Sequence, residues 1–122
     1  MTWRILVVED QKDNRQIIRD LLTSQGYEMI EAVTGLEGVA AAERERPDLI
    51  LMDIQLPEID GYEATRRIRA NPALRDVPII AVTSYALSGD DVKAFDAGCN
   101  AYVTKPFSPR ELLAKVRELV GG

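Results

Sequence analysis

The side chains best equipped for chemistry in this sequence stand where its apolar runs stop. RILVV gives way to Glu9 and Asp10, DLILMD ends on Asp53, VPIIAV is followed by Thr83 and Ser84, and NAYVT ends at Thr104 and Lys105. The tools on offer are carboxylates, hydroxyls and an ammonium. There is no histidine, and Cys99 is the sole cysteine. That removes the usual zinc ligand sets, the histidine-dependent hydrolase triads, the commonest general base and any internal disulfide. Cys99 itself reads as a small packed residue.

Three carboxylates brought together are hard to keep ionised. Two like charges about 4 Å apart repel by roughly 4 kcal/mol at an effective dielectric of 20. A hard divalent cation relieves this, and Mg²⁺, which favours oxygen ligands and is commonly held by one or two carboxylates plus a phosphate, suits the set better than Ca²⁺. Phosphoryl transfer asks for an in-line nucleophile with cations around the equatorial oxygens. In such a site Asp53 would attack, Glu9 and Asp10 would hold the metal, Lys105 would contact one phosphoryl oxygen and Thr83 would donate a hydrogen bond to another.

These residues work together only if the elements bearing them end on one edge. Arg4 to Glu9, Asp48 to Asp53 and Val77 to Val82 are apolar runs rich in branched side chains, the pattern of strands buried on both faces. Tyr27 to Val33, entered past Gly26, and Asn100 to Thr104, entered through Gly98, supply a second and a fifth strand. Helical spacing links them: Ile17, Ile18, Leu21 and Leu22, then Leu36, Val39 and Ala40, then Tyr62, Thr65, Ile68 and Arg69. A last helix is signalled by Ser108 as cap, Pro109 at its first position and Glu111, with Leu112, Leu113, Val116, Leu119 and Val120 facing inward.

Five strands alternating with five helices, the four marked above and one counted between the fourth and fifth strands, predict an α/β fold: a doubly wound parallel sheet between two helical layers. Ligands of such sheets bind beyond the carboxyl ends of the strands, where the reactive residues stand. Pro57, Gly61, Pro72, Pro78 and Gly89 fall at junctions. No repeat, linker or output domain is visible, so residues 1–122 are expected to form one domain.

Composition bounds the remainder. At 122 residues, 46% hydrophobic and 29% charged, the chain has the balance of a globular domain. Its net charge of −5 argues against direct nucleic-acid or anionic-membrane binding. The longest uncharged stretch, Val77 to Gly89, falls short of the roughly 18 apolar residues a membrane helix needs, and no signal-peptide pattern opens the chain, so a cytoplasmic location is expected. Arg66, Arg67 and Arg69 read as an exposed helix face, and Trp3 as a packing residue at the edge of the first strand.

The set Glu9-Asp10, MDIQLPEIDGYE around Asp53, Thr83 and YVTKPF around Lys105 resembles the CheY-like response-regulator receiver domains along the whole chain. The resemblance implies that Asp53 is the phosphoacceptor, Thr83 the switch hydroxyl and Lys105 the phosphate-contacting lysine. It implies that Glu9, Asp10, Asp53 and the backbone carbonyl of Gln55 bind Mg²⁺. Strand order 2-1-3-4-5 and a cis bond between Lys105 and Pro106 are implied as well. The phosphodonor would be a phosphohistidine on a sensor histidine kinase or histidine phosphotransfer protein. The output would pass through a partner protein or a relay, with pairing of two copies through an exposed helix face left open.

A new phosphoryl group would draw Thr83 toward Asp53 and leave room for Tyr102 to rotate inward, changing the face formed by the fourth strand, fourth helix and fifth strand. The acidic pair is Glu-Asp where Asp-Asp is common, Gln55 stands two residues past the acceptor, and Ser84 takes a place often held by alanine. Gln55 and Tyr85, near the path of hydrolytic water, are expected to lengthen the phosphorylated lifetime. A phosphatase of the haloacid-dehalogenase type would want a second Asp where Gln55 stands. A flavodoxin-like binder would want a Gly-rich loop in place of Gln11, Lys12 and Asp13. A receiver surface used constitutively for protein binding would have no use for an intact acidic site.

Overall fold

Branched apolar residues build the centre of the sheet. The computed structural model describes residues 2–84 and 90–120, the side chains of Asp90 and Asp91 excepted. Tyr85 and Gly89, to which the sequence reading assigned parts, lie outside the described residues. Strand β1 (Arg4–Val8) leads to α1 (Lys12–Ser24), then β2 (Glu28–Ala32), α2 (Gly35–Glu45), β3 (Leu49–Asp53) and α3 (Gly61–Ala70). A short 3₁₀ turn (Pro72–Leu74), β4 (Ile79–Thr83), α4 (Asp90–Ala97), β5 (Ala101–Thr104) and α5 (Pro109–Val120) complete the order.

The strands form one parallel sheet in the order β2-β1-β3-β4-β5. Alternate side chains leave opposite faces. Ile5, Val7, Leu49, Leu51, Ile80, Val82 and Val103 pack under Ile18 and Leu22 of α1 and Leu112, Leu113, Val116 and Val120 of α5. Leu6, Val8, Ile50, Met52, Ile79 and Ala81 pack under Ala41 and Ala42 of α2, Ala64 and Ile68 of α3, and Ala94 of α4. Among the described residues two helices therefore cover one face and three the other, giving the three-layer α/β/α architecture. Trp3 packs half-buried against the first of these cores.

Helix ends are fixed locally. The Thr34 hydroxyl accepts from the Glu37 N–H at 3.0 Å, Asp60 from Glu63 at 2.9 Å and Ser108 from Glu111 at 3.3 Å. After α1 the chain turns through Gly26 at φ 83°, a conformation glycine adopts without a Cβ clash.

Three details depart from the sequence reading. Ile17, Leu36 and Ala40, counted on apolar stripes, are exposed, the first two by 54% and 43%, because Ile18 and Leu22 carry the contact of α1 and Ala41 and Ala42 carry that of α2. The fourth strand begins at Ile79, after Pro78. Arg69 does not share the exposed face of Arg66 and Arg67. Its half-buried guanidinium donates to the carbonyls of Gly98 (2.9 Å), Leu74 (3.0 Å) and Arg75 (3.2 Å) and to Asn100 Oδ1 (2.8 Å), the last of which also accepts from the Ile79 N–H at 2.8 Å.

Candidate functional site

Register decides what the strand ends bring together. Val8 pairs with Met52, Asp53 with Val82 and Thr83 with Thr104, so β1, β3, β4 and β5 finish nearly level. Glu9 continues β1 by one residue, its N–H donating to the Ala32 carbonyl at 3.0 Å, and the residue is only 1% exposed. Asp53 closes β3 at 3% exposure, and Thr83 closes β4, equally buried. Lys105 follows β5, its N–H donating to the Thr83 carbonyl at 2.7 Å, and the Lys105–Pro106 bond is cis.

The side chains meet in a tight cluster. Lys105 Nζ donates to Glu9 Oε1 at 2.8 Å and to Asp53 Oδ2 at 3.1 Å. The Gln11 N–H donates to Glu9 Oε2 and the Gln55 N–H to Asp53 Oδ1, each at 3.0 Å. One carboxylate oxygen each from Glu9, Asp10 and Asp53 lie within 4.8 Å of one another, Asp10 being the more open to solvent. The loop after Asp53 is folded back against the strand end. The Gly61 N–H reaches the Ile54 carbonyl at 2.9 Å, and a Cβ on Gly61 would stand 2.3 Å from the Asp53 carbonyl oxygen.

Burial, a hydrogen bond shared with Glu9 and the Glu9 charge push the Asp53 carboxyl up to about 6, against the pull of Lys105 and the Gln55 N–H. Burial also acts to raise Glu9. Its hydrogen bonds from Lys105 and the Gln11 N–H prevail and hold it below the usual carboxylate range. For the Lys105 ammonium, burial is outweighed by Glu9 and Asp53, and its pKa lies above the ordinary value. Of the two buried acids Asp53 is thus the one that keeps a proton longer. An all-oxygen donor set with excess negative charge fits a hard divalent cation, and these acids suit Mg²⁺.

Glu9, Asp10, Asp53 and Lys105 are therefore gathered as the sequence placed them, and Gln55 contributes its N–H within the same loop. Tyr102 stands on β5, half-buried, its ring set edge-on to Phe95 with centroids 6.2 Å apart. Arg15 escaped the sequence reading. Its Nη1 donates to the carbonyls of Glu9 at 3.0 Å and Asp10 at 3.2 Å, and the available signal was a basic residue in the first turns of the helix following the acidic pair.

A parallel sheet flanked by helices, with acids and a lysine converging beyond its carboxyl edge, defines a doubly wound α/β protein built to act on a charged group. The chain matches the family described as response regulator receiver domain across residues 5–117, and it belongs to that family. It is a CheY-like receiver domain of two-component signalling. It is 41% identical over 121 residues, 99% of this chain and 98% of the relative, to the polar-differentiation response regulator DivK of Brucella ovis. The receiver domain of sensor histidine kinase PA1611 from Pseudomonas aeruginosa PAO1 is 44% identical and superposes with a TM-score of 0.93, each chain covered in full. That structure has a magnesium ion coordinated in its active-site cleft. A response regulator from Chloroflexus aurantiacus J-10-fl, 30% identical, gives a TM-score of 0.95, again with both chains covered in full. Among the described residues no helix is long and apolar enough to cross a membrane.

Proposed function

We propose that Asp53 takes a phosphoryl group from a phosphohistidine on a sensor histidine kinase or histidine phosphotransfer protein, and that the aspartyl phosphate resets the α4-β5-α5 surface for a partner protein. The observation that carries this reading is the Asp53 carboxylate, buried at a strand end between a pair of acids and an ammonium 3.1 Å away. Glu9, Asp10, Asp53 and the Gln55 carbonyl are the groups that would hold Mg²⁺. When bound, the ion supplies neutralising charge at the phosphoryl oxygens.

The chain's own residues do the rest. With its carboxyl raised only to about 6, Asp53 is mostly ionised at neutral pH and able to attack. An Asp53 oxygen bonds to phosphorus as the bond from phosphorus to the imidazole nitrogen breaks, and the electron pair leaves with the histidine. Lys105, already on Asp53 Oδ2, moves onto a phosphoryl oxygen, and Thr83 donates to another. Tyr102, next to Phe95 on the β5-α4 side, follows Thr83 inward. The domain catalyses its own phosphorylation and hydrolysis and turns over no other substrate. The working unit is the receiver domain spanning 1–122, acting in the cytoplasm through protein partners and without direct nucleic-acid contact. Gln55 slows hydrolysis, in concert with Tyr85.

The test is incubation with Mg²⁺ and acetyl phosphate, read by intact mass for wild type and Asp53→Asn, with beryllofluoride as a stable mimic. A Mg²⁺-dependent gain of one phosphoryl group, absent from the variant, is expected. Neither adduct nor beryllofluoride binding would instead leave a receiver surface used constitutively for protein binding.

A further inference from the structure

The three acids of the site are not held in the same way. Glu9 is fixed through its carboxylate by Lys105 and the Gln11 N–H, and Asp53 by Lys105 and the Gln55 N–H. At Asp10, among the described residues, the hydrogen bond falls on the main-chain carbonyl, and its donor is Arg15 Nη1 at 3.2 Å. The same nitrogen reaches the Glu9 carbonyl at 3.0 Å, so one guanidinium group clamps two successive peptide units. Gln11, the residue at the N-cap of α1, makes no side-chain capping bond and gives its N–H to Glu9 Oε2, so neither of these groups holds the Asp10 carbonyl.

The guanidinium is itself anchored. Arg15 Nε lies 3.3 Å from Glu31 Oε1 on β2, where Arg19 also pairs with Glu31, and the Arg15 side chain is 17% exposed. A planar fork held from behind by a carboxylate loses little freedom when its front meets two carbonyls.

We propose that Arg15 is a positioning residue for the magnesium site, fixing the main chain from which Asp10 presents its carboxylate. This rests on the magnesium reading given above. Arg15 touches neither the metal nor the phosphoryl group. It acts through Asp10, in the way groups behind a metal ligand set its orientation and affinity. Charge alone has the opposite sign, since a guanidinium near a cation site repels the cation, and removing it without loss of order would tighten binding.

The experiment is calorimetric titration of the full chain with MgCl₂, comparing wild type, Arg15→Met and Arg15→Lys, with unfolding temperatures in EDTA beside it. Arg15→Met, which keeps the apolar stem, is expected to weaken Mg²⁺ binding roughly tenfold. Arg15→Lys recovers part of the loss, because an ammonium can serve a carbonyl but not grip Glu31 in the same plane. In an Asp10→Asn background Arg15→Met costs no further affinity, the mark of one residue acting through another. Unchanged or tighter binding in Arg15→Met, or full additivity with Asp10→Asn, would overturn the proposal even if the unfolding temperature drops. Should Arg15→Met not fold, Arg15→Lys decides by the same criterion, weaker binding supporting the proposal and unchanged binding overturning it. A wild type that takes up no Mg²⁺ fails the magnesium reading first, and this inference with it.

Discussion

Asp53 is asked to be both buried and charged, and its pKa records the conflict. The unfolded chain releases that proton near 3.8, the folded one near 6. Between those values the native state binds a proton the unfolded state lacks, so metal-free stability falls as pH rises from about 4 to about 6 and stays reduced above it. Asp53→Asn removes the buried charge and should flatten this dependence, gaining on the order of 2 kcal/mol at pH 7. Thermal unfolding in EDTA across pH 4 to 8 reads it directly, and a parallel profile for the two proteins would refute the assignment. Glu58 carries a different strain, a positive φ of 71° in the loop behind Asp53. Glu58→Gly relieves it and should stabilise by about 1 kcal/mol in urea titrations. At this scale the sequence made the acids and Lys105 legible because each follows an apolar run, and strand ends meet by topology. It concealed Arg15, whose partners are backbone carbonyls that no spacing rule marks.

Elements earn their positions through contacts of the same hidden kind. Arg69, at the end of α3, satisfies carbonyls of Gly98, Leu74 and Arg75 and the Asn100 side chain, tying α3 to the turn between α4 and β5. Gly98 permits this. It sits at φ 115°, and a Cβ there would stand 2.7 Å from Arg69 Cγ. Arg69→Met strands the Gly98 and Arg75 carbonyls, while Leu74 and Asn100 keep the Val77 and Ile79 N–H groups, and it is expected to cost about 2 to 4 kcal/mol by denaturant unfolding, with the proposed phosphoryl acceptance retained. A loss under about 0.5 kcal/mol, the level of an ordinary surface change, would return Arg69 to the exposed face on which the sequence reading grouped it with Arg66 and Arg67. Strands and their parallel direction were readable since branched apolar runs buried on both faces leave few alternatives, whereas the order 2-1-3-4-5 came from the family resemblance. Helix faces were less so. Ile17 fits the apolar period of α1 and yet is 54% exposed, since period gives a stripe and only packing gives its width.

For the whole molecule, a net charge of −5 means that any cation stabilises somewhat by screening, and a specific site must be told apart from that background. The distinction lies in linkage. An ion that binds only the folded state adds RT ln(1 + [L]/Kd), about 2.7 kcal/mol at a hundred times Kd, which for a domain of this size is a rise of roughly 10 °C in Tm. Screening follows ionic strength and is matched by NaCl. Binding at the Glu9-Asp10-Asp53 cluster is not, and it must compete with the proton that Asp53 holds up to about 6. The expected result is a large Mg²⁺-induced rise in Tm at pH 7.5 at constant ionic strength, shrinking by more than half at pH 5, where protonated Asp53 is a poor ligand. Asp10→Asn, at the open side of the cluster, should abolish most of the rise while leaving the metal-free Tm nearly unchanged. A rise that NaCl reproduces would locate the stabilisation in general screening, and one that persists undiminished at pH 5 would remove Asp53 from metal binding, because a protonated carboxyl and a bound cation cannot share one lone pair.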